Sequence, residues 1–204
     1  GVWFTRNDAR IPNDATGTEI DLLDLTGSGP AVFARLSAEW DINERHGLRL
    51  MLAPLSVDGT GELPEDARFV DTDFPAGTTS ADFRFNTYRL TYRYTFHRSE
   101  TWRWRVGFTG LIRDAEIALA QDGLRDSDDN VGFVPLLHLY GEYAFAPRWQ
   151  LTFDFDGLAG GPGRAFDVAL KVHYAPDDHW QFGAGYRTLE GGADTDDVFS
   201  FSWL

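Results

Sequence analysis

The stretch from Phe83 to Phe108 limits what this chain can fold into more than any other. It reads FRFNTYRLTYRYTF, then HRSET, then WRWRVGF. From Tyr88 to Phe96 every even residue is large and apolar or aromatic: Tyr88, Leu90, Tyr92, Tyr94 and Phe96. Between them lie Arg89, Thr91, Arg93 and Thr95. After a turn, Trp102, Trp104, Val106 and Phe108 share one face and Arg103, Arg105 and Thr109 the other. Alternation with period two belongs to extended strands, so this is a hairpin of two long strands. Two arrangements suit it. A soluble sheet buries the aromatic face and sends the arginines to water. A membrane barrel turns the aromatics to lipid and the arginines to a polar lumen.

The same period recurs along the chain. Val2–Thr5 is a short β-prone piece, and residues 11–30 carry turn residues around TEIDLLDL, ending in the breaker GSGP. Val32, Ala34, Leu36, Ala38 and Trp40 alternate with Phe33, Arg35, Ser37, Glu39 and Asp41, and Leu48, Leu50 and Leu52 follow the turn INERH. The central hairpin runs to about Leu119, with a change of phase near Leu111–Arg113 that predicts a bulge. Phe133, Leu137, Leu139, Tyr143 and Phe145 alternate with His138, Tyr140 and Glu142. Trp149, Leu151, Phe153 and Phe155 alternate with Gln150, Thr152, Asp154 and Asp156. Phe166, Val168, Leu170, Val172 and Tyr174 oppose Asp167, Lys171 and His173; Trp180, Phe182 and Tyr186 oppose Gln181 and Arg187; Phe199, Phe201 and Trp203 oppose Ser200 and Ser202.

The connections alternate as well. Residues 42–46, 97–101, 146–148 and 175–179 are short turns, whereas 58–80, 120–131, 157–164 and 190–197 read as longer, more acidic loops. Short turns at one end and longer loops at the other is the layout of a transmembrane β-barrel. Trp40, Trp102, Trp149 and Trp180 all sit beside the short-turn end, at one level, as an aromatic girdle does. The expected fold is all-β: a single domain over 1–204, an antiparallel up-and-down transmembrane barrel of about ten strands, with eight as the smaller count.

Composition narrows the classes. A net charge of −14 argues against a nucleic-acid partner. Cysteine is absent, so thiolate chemistry and disulfides are excluded. No apolar run approaches the roughly 18 residues of a membrane-spanning helix. The chain opens on GVWFTRND without a signal-peptide pattern, as expected of a mature form if it is exported.

With aromatics on lipid, the lumen receives Arg35, Glu39, Arg49, Arg89, Arg93, Arg103, Arg105, His138, Glu142, Asp154, Asp156, Asp167, Lys171, His173 and Arg187. Basic residues come from early strands and acidic ones from later strands. A narrow barrel brings them face to face, and buried charges are tolerated only when paired. The expectation is a salt-bridged lumen with Arg89, Arg93, Arg103 and Arg105 opposite Glu142, Asp154, Asp156 and Asp167, and at most a narrow, porin-like pore.

The pieces LTGSGP (25–30), NERHGLRLMLAPL (43–55), FPAGTTS (74–80), YRLTYRYTFHRSE (88–100), VPLLHLYGEY (134–143) and YRTLEGGAD (186–194) resemble a largely uncharacterised group of small outer-membrane β-barrel proteins of Gram-negative bacteria. The resemblance implies the bacterial outer membrane as location, and outer-membrane lipid and lipopolysaccharide as surroundings. It carries no assigned activity. Similar proteins usually have more sequence on both sides, so the terminal strands are expected to be truncated here.

Chemistry-bearing groupings are few. His97, Ser99 and Glu100 resemble the His/Ser/Glu set of outer-membrane lipid A deacylases, but all three lie in one tight turn, without the geometry of a triad. Asp154 and Asp156 in FDFD resemble the paired aspartates of ten-stranded outer-membrane proteases. That chemistry also needs an Asp–His pair, and His138 and His173 are expected lower in the wall. Asp114, Glu116, Asp154, Asp156 and Asp167 are expected to converge near the long-loop end. Asp114, Glu116 and Asp156 are the weak candidates for a divalent cation, which takes carboxylate oxygens. DSDDN at 126–130 lacks the spacing of an EF-hand loop. His138 and Glu142 are about 13 Å apart along one strand and share no metal. No cofactor is expected beyond a cation at the acidic loops, and no enzymatic activity. The reading is a barrel with a structural or surface-interaction role. The alternatives are a soluble calycin-like barrel holding an apolar ligand among inward aromatics and a membrane-embedded hydrolase.

Overall fold

A computed structural model of the chain describes residues 2–3, 6–13, 15–27, 29–160, 163–194 and 199–203. Extended backbone dominates. In order come β1 (Val2–Trp3), β2 (Arg6–Arg10), β3 (Glu19–Asp21), one short helix α1 (Leu23–Thr26), β4 (Ala31–Val32), β5 (Leu36–Asp41), β6 (His46–Ala53), β7 (Ser56–Leu63), β8 (Ala67–Phe69) and β9 (Thr72–Phe74). The long strands follow: β10 (Gly77–Arg98), β11 (Trp102–Gln121), β12 (Leu124–Ala146), β13 (Trp149–Gly160), β14 (Gly163–Tyr174), β15 (Phe182–Asp194) and β16 (Phe199–Trp203). The side-chain facing expected of Phe199, Phe201 and Trp203, and the loop over 195–198, lie outside the described residues.

Every pairing is antiparallel. One sheet runs β3-β2-β16-β15-β14-β13-β12-β11-β10-β6-β5, with β7 also on β10. β6 and β7 act as two halves of one neighbour. Ala53 pairs with Thr87 and Ser56 with Arg84, and Pro54 interrupts the ladder between them. A separate two-stranded piece pairs Val2 with Val32 and Trp3 with Ala31. β8 and β9 form a small hairpin of their own.

The sheet curls strongly. Arg49 on β6 reaches Asp154 on β13 at 2.7 Å although β10, β11 and β12 lie between them. In a flat sheet those strands are roughly 19 Å apart. Only a concave face folded on itself closes that distance.

The expected turns at the short-turn end are present. The other end differs from expectation, because most of the residues read as acidic loops extend the strands instead. The stretch 120–131 is a tight hairpin: Gln121 pairs with Leu124, and Asp122 and Gly123 have φ of 47° and 88°. Both central residues left-handed is the geometry of a type I′ turn, which matches the twist of the flanking strands. The bulge expected at Leu111–Arg113 is absent. β10 and β11 stay in register from Ser80↔Ala120 to Thr95↔Arg105, and the irregularity comes at Thr95/His97, beside the turn.

What changes along the hairpin is polarity. On β10 the odd residues face inward throughout. Near the turn these are Thr87, Arg89, Thr91, Arg93 and Thr95, all buried, while Tyr88, Leu90, Tyr92 and Phe96 are exposed. Toward the far end the inward residues become Ala81 and Phe83, and the exposed ones Ser80, Asp82 and Arg84. The far half is therefore built like a soluble protein, and the near half is turned inside out.

An ordinary hydrophobic core fills the concave side of the far half. Residues 9–25 fold into it through Ala9, Ile11, Ile20, Leu22 and Leu25, against Leu55, Leu63, Phe69, Phe74, Phe83, Ile117 and Leu119. α1 lies directly on β7. A Cβ at Gly61 would strike the Asp24 carbonyl, and one at Gly59 would come within 2.6 Å of Thr26 Cα. Two glycines in a strand give the helix backbone the close approach it needs.

Candidate functional site

The near half holds the charged residues that the alternation predicts. At its centre Asp156 accepts from four side chains: Arg89 Nη1 at 3.2 Å, Arg49 Nη2 at 3.4 Å, Thr109 Oγ1 at 2.8 Å and His138 Nδ1 at 2.8 Å. Asp167 receives Arg89 and Arg187, with Arg35 at 3.8 Å. Asp154 receives Arg49 at 2.7 Å, with Arg187 at 4.0 Å. Arg89, Asp156 and Asp167 are each 1% exposed. Guanidinium forks satisfy such carboxylates well, because their donors are fixed in a plane.

A second group sits closer to the short turns. Arg93 forks onto Glu39 at 2.6 and 3.3 Å and lies over the Tyr140 ring at 5.7 Å. Arg105 donates to Asp41 at 3.1 Å, and Arg103 lies 3.7 Å from Glu142. Of the four expected arginine pairings, Arg89 meets Asp156 and Asp167 across the concave face, and Arg103 meets Glu142 from the adjacent strand. Arg93 and Arg105 instead take Glu39 and Asp41 of β5. Asp41 is absent from the inward set expected from the sequence, although its spacing of two from Glu39 gives it the same face. Thr91 and Thr109, which bond each other at 2.8 Å, share the arginine face as the alternation implies but stand outside the expected network, because threonine carries no charge signal.

Between the two groups and the short-turn end lies a polar cavity of 490 Å³. Lys171, Gln150 and Thr152 are among its walls, and His173 meets Thr152 Oγ1 at 3.0 Å.

Among the described residues, large apolar side chains dominate the exterior of the near half. Leu36, Leu90, Phe108, Phe133 and Tyr186 are all more than half exposed. Near the turns the rings touch in series. Trp104 stacks on Trp102, Trp102 on Tyr143 at 4.3 Å, and the chain continues through Phe145 and Trp149 to Tyr174. Trp40 and Trp180 are exposed at the same end, each 65%.

Two expectations are corrected. Asp114 and Glu116 do not converge with Asp156. They lie on the even, outward face of β11, where Arg84 takes both at 3.4 and 3.0 Å. Strand alternation separates them from an inward carboxylate. His138 is not lower in the wall than the aspartates; it is the register partner of Asp156. Among the described residues, His138, Asp154 and Asp156 therefore form the cluster whose donor atoms lie close enough to hold a metal, within 4.8 Å. Arg49 and Arg89 already compensate those carboxylates, so the set is balanced without a cation. His97, Ser99 and Glu100 lie exposed at the β10–β11 turn, where Ser99 Oγ accepts from Trp102 N at 3.0 Å. That is turn chemistry.

No helix among the described residues is long and apolar enough to cross a membrane, a criterion that does not bear on strands. No protein-family model matches the chain, and no curated protein matches it.

Proposed function

We propose that the chain is an integral β-barrel of a bacterial outer membrane, with ten strands closed on themselves and a lumen packed by paired charges. One observation carries the reading. In a single unbroken register the near half buries arginines and exposes leucines and aromatics, and the far half does the opposite. Water rewards only the second arrangement. A contiguous apolar exterior needs an apolar solvent. The same observation weighs against a calycin-like barrel, which needs the aromatics inside.

Two ladders that meet at the N-terminus support the closed reading. β2 pairs with β16, while β1, just before it in the chain, pairs with β4, just before β5. Counting β1/β2, β4/β5 and β6/β7 as one strand each gives ten around the wall. β10, β11 and β12 have 22, 20 and 23 residues, about twice the 9–11 of a spanning strand. Their far halves stand clear of the membrane as a soluble collar, with the fold-in segment 9–25 as its filling.

The role is structural or surface-interacting. The Asp156–Asp167 cluster with Arg49, Arg89 and Arg187 crosses the lumen, so the barrel conducts little. Outer-membrane lipid surrounds it, and the acidic collar meets lipopolysaccharide phosphates through divalent cations. The test is extraction and gel mobility. The purified chain should require detergent and should migrate differently before and after boiling while remaining β-rich. A monodisperse protein without detergent overturns the reading.

A further inference from the structure

The wall has a break. β12 pairs with β11 from Leu124 to Tyr143. On its other edge it pairs with β13 only from Leu137↔Gly157 to Ala146↔Trp149. Above that level β13 turns away with β14, pairing Leu158 with Ala165 and Gly160 with Gly163. Among the described residues, Leu124–Leu136 has no ladder partner on that side. Pro135, with no N–H to offer an incoming strand, lies on this free stretch. Both lips are apolar: Phe133 is 70% exposed and Leu158 39%. The break therefore opens on the apolar belt.

Behind it lies a cavity of 380 Å³, within the range of small-molecule sites. Phe85, Leu111, Val134 and Leu189 give it an apolar wall, and Arg89 and Arg113 also line it. Arg89 is 1% exposed; its Nη1 serves Asp156 and Asp167, but Nε and Nη2 have no partner. Arg113 crosses Gly132 to Asn130 Oδ1 at 2.9 Å, with Nε buried and without a partner. Buried donors left over on two cations call for an anion. A long apolar wall that opens sideways calls for an alkyl chain.

We propose that this cavity takes a single-chain anionic amphiphile that enters through the wall from surrounding lipid. Its head is held by Arg89 and Arg113, and its chain runs along Phe85, Leu111 and Val134 and leaves between β12 and the β13–β14 hairpin. The inference rests on the membrane reading and adds a ligand class to it. Both sources of such a ligand, a free fatty acid and a lysophospholipid, share this chemistry.

The experiment uses the chain in nanodiscs of zwitterionic phospholipid, with laurate, dodecanol and an anionic lysophospholipid titrated in turn. Laurate should bind wild type at least about tenfold more tightly than dodecanol, the scale of one charge-assisted hydrogen bond. Leu158→Trp should abolish binding by filling the mouth, and Arg113→Gln should weaken laurate but not dodecanol. Gln150→Ala, in the other cavity, should change neither. A preference for laurate or for the lysophospholipid identifies the source. Equal affinity for laurate and dodecanol, binding intact in Leu158→Trp, or no binding by an inserted, β-rich wild type each overturns the proposal. Failure to insert at all removes the membrane reading and this proposal with it; insertion without binding removes this one alone.

Discussion

Asp156→Ala is the perturbation that weighs most on the buried charge network. The carboxylate sits at the node of the network and accepts from Arg49, Arg89, Thr109 and His138. Removing it takes a carboxylate from two buried cations, Arg49 at 3% and Arg89 at 1% exposure. Arg89 keeps Asp167 and Arg49 keeps Asp154, so the loss is partial rather than complete. Breaking a buried ion pair from one side costs about 3–5 kcal/mol. The retained partners place Asp156→Ala at the lower part of that range, and Asp156→Asn, which preserves shape and the Thr109 bond, at about 1–3 kcal/mol. A control at Glu62, an exposed far-end residue bonded to Thr78, should stay within about 0.5 kcal/mol. Tryptophan fluorescence during urea unfolding from micelles or vesicles reads all three. Equal midpoints for Asp156→Ala and Glu62→Ala would refute the idea that the network holds the near half together.

Further outcomes follow from other parts of the molecule. Leu90→Arg should cost about 2–4 kcal/mol of insertion stability, and Asp82→Arg, on the same face of the same strand but beyond the belt, close to nothing; vesicle insertion yield measures both. Gly61→Val should push α1 off β7 and expose the 9–25 segment, read as faster proteolysis there with the near half intact. Burial, and then the neighbouring carboxylate of Asp129, push the Asp128 carboxyl above its usual range. An acid whose folded pKa is raised destabilises the fold above that pKa, and the penalty fades as pH falls through it toward the unfolded value. Asp128→Asn should therefore be slightly more stable than wild type at pH 7 and indistinguishable below about pH 3.9. Thermal midpoints at the two pH values check the sign.

The near half was legible because each strand there alternates in charge as well as hydropathy. Arg89, Arg93, Arg103 and Arg105 against Tyr92, Trp102 and Phe108 leave no doubt about which residues share a face, and the inward set follows. Partners were less legible. Arg93 meets Glu39 and Arg105 meets Asp41 because β5 lies beyond β6 on the same concave face, two strands from β10 and three from β11, and sequence spacing carries no information about strand order or curl. Residues 58–80 and 120–131 of the far half read as loops because their composition is acidic and rich in Gly and Thr. Those residues fit an exposed strand face as well as a loop, and pairing across the Asp122–Gly123 turn decided between them. Phe83 and Phe85 carried the reversal in plain view, one position out of phase with Tyr88. A period search that seeks one apolar face per strand reads such a switch as a bulge. His138 and Asp156 became neighbours through register, which no single strand reveals.

The central claim is that one strand face meets lipid near the turn and water at the far end. The chain has no cysteine, so single cysteines can be placed at 82, 84, 86, 88, 90, 92, 94 and 96 without a background. Spin labels at these sites, in vesicles, report collision with oxygen, which favours lipid, and with a nickel chelate, which stays in water. The account predicts oxygen-dominated relaxation at 88–96 and nickel-dominated relaxation at 82 and 84, with the crossover near Asn86. Nickel access at 88–96, or no access by either reagent, would contradict it.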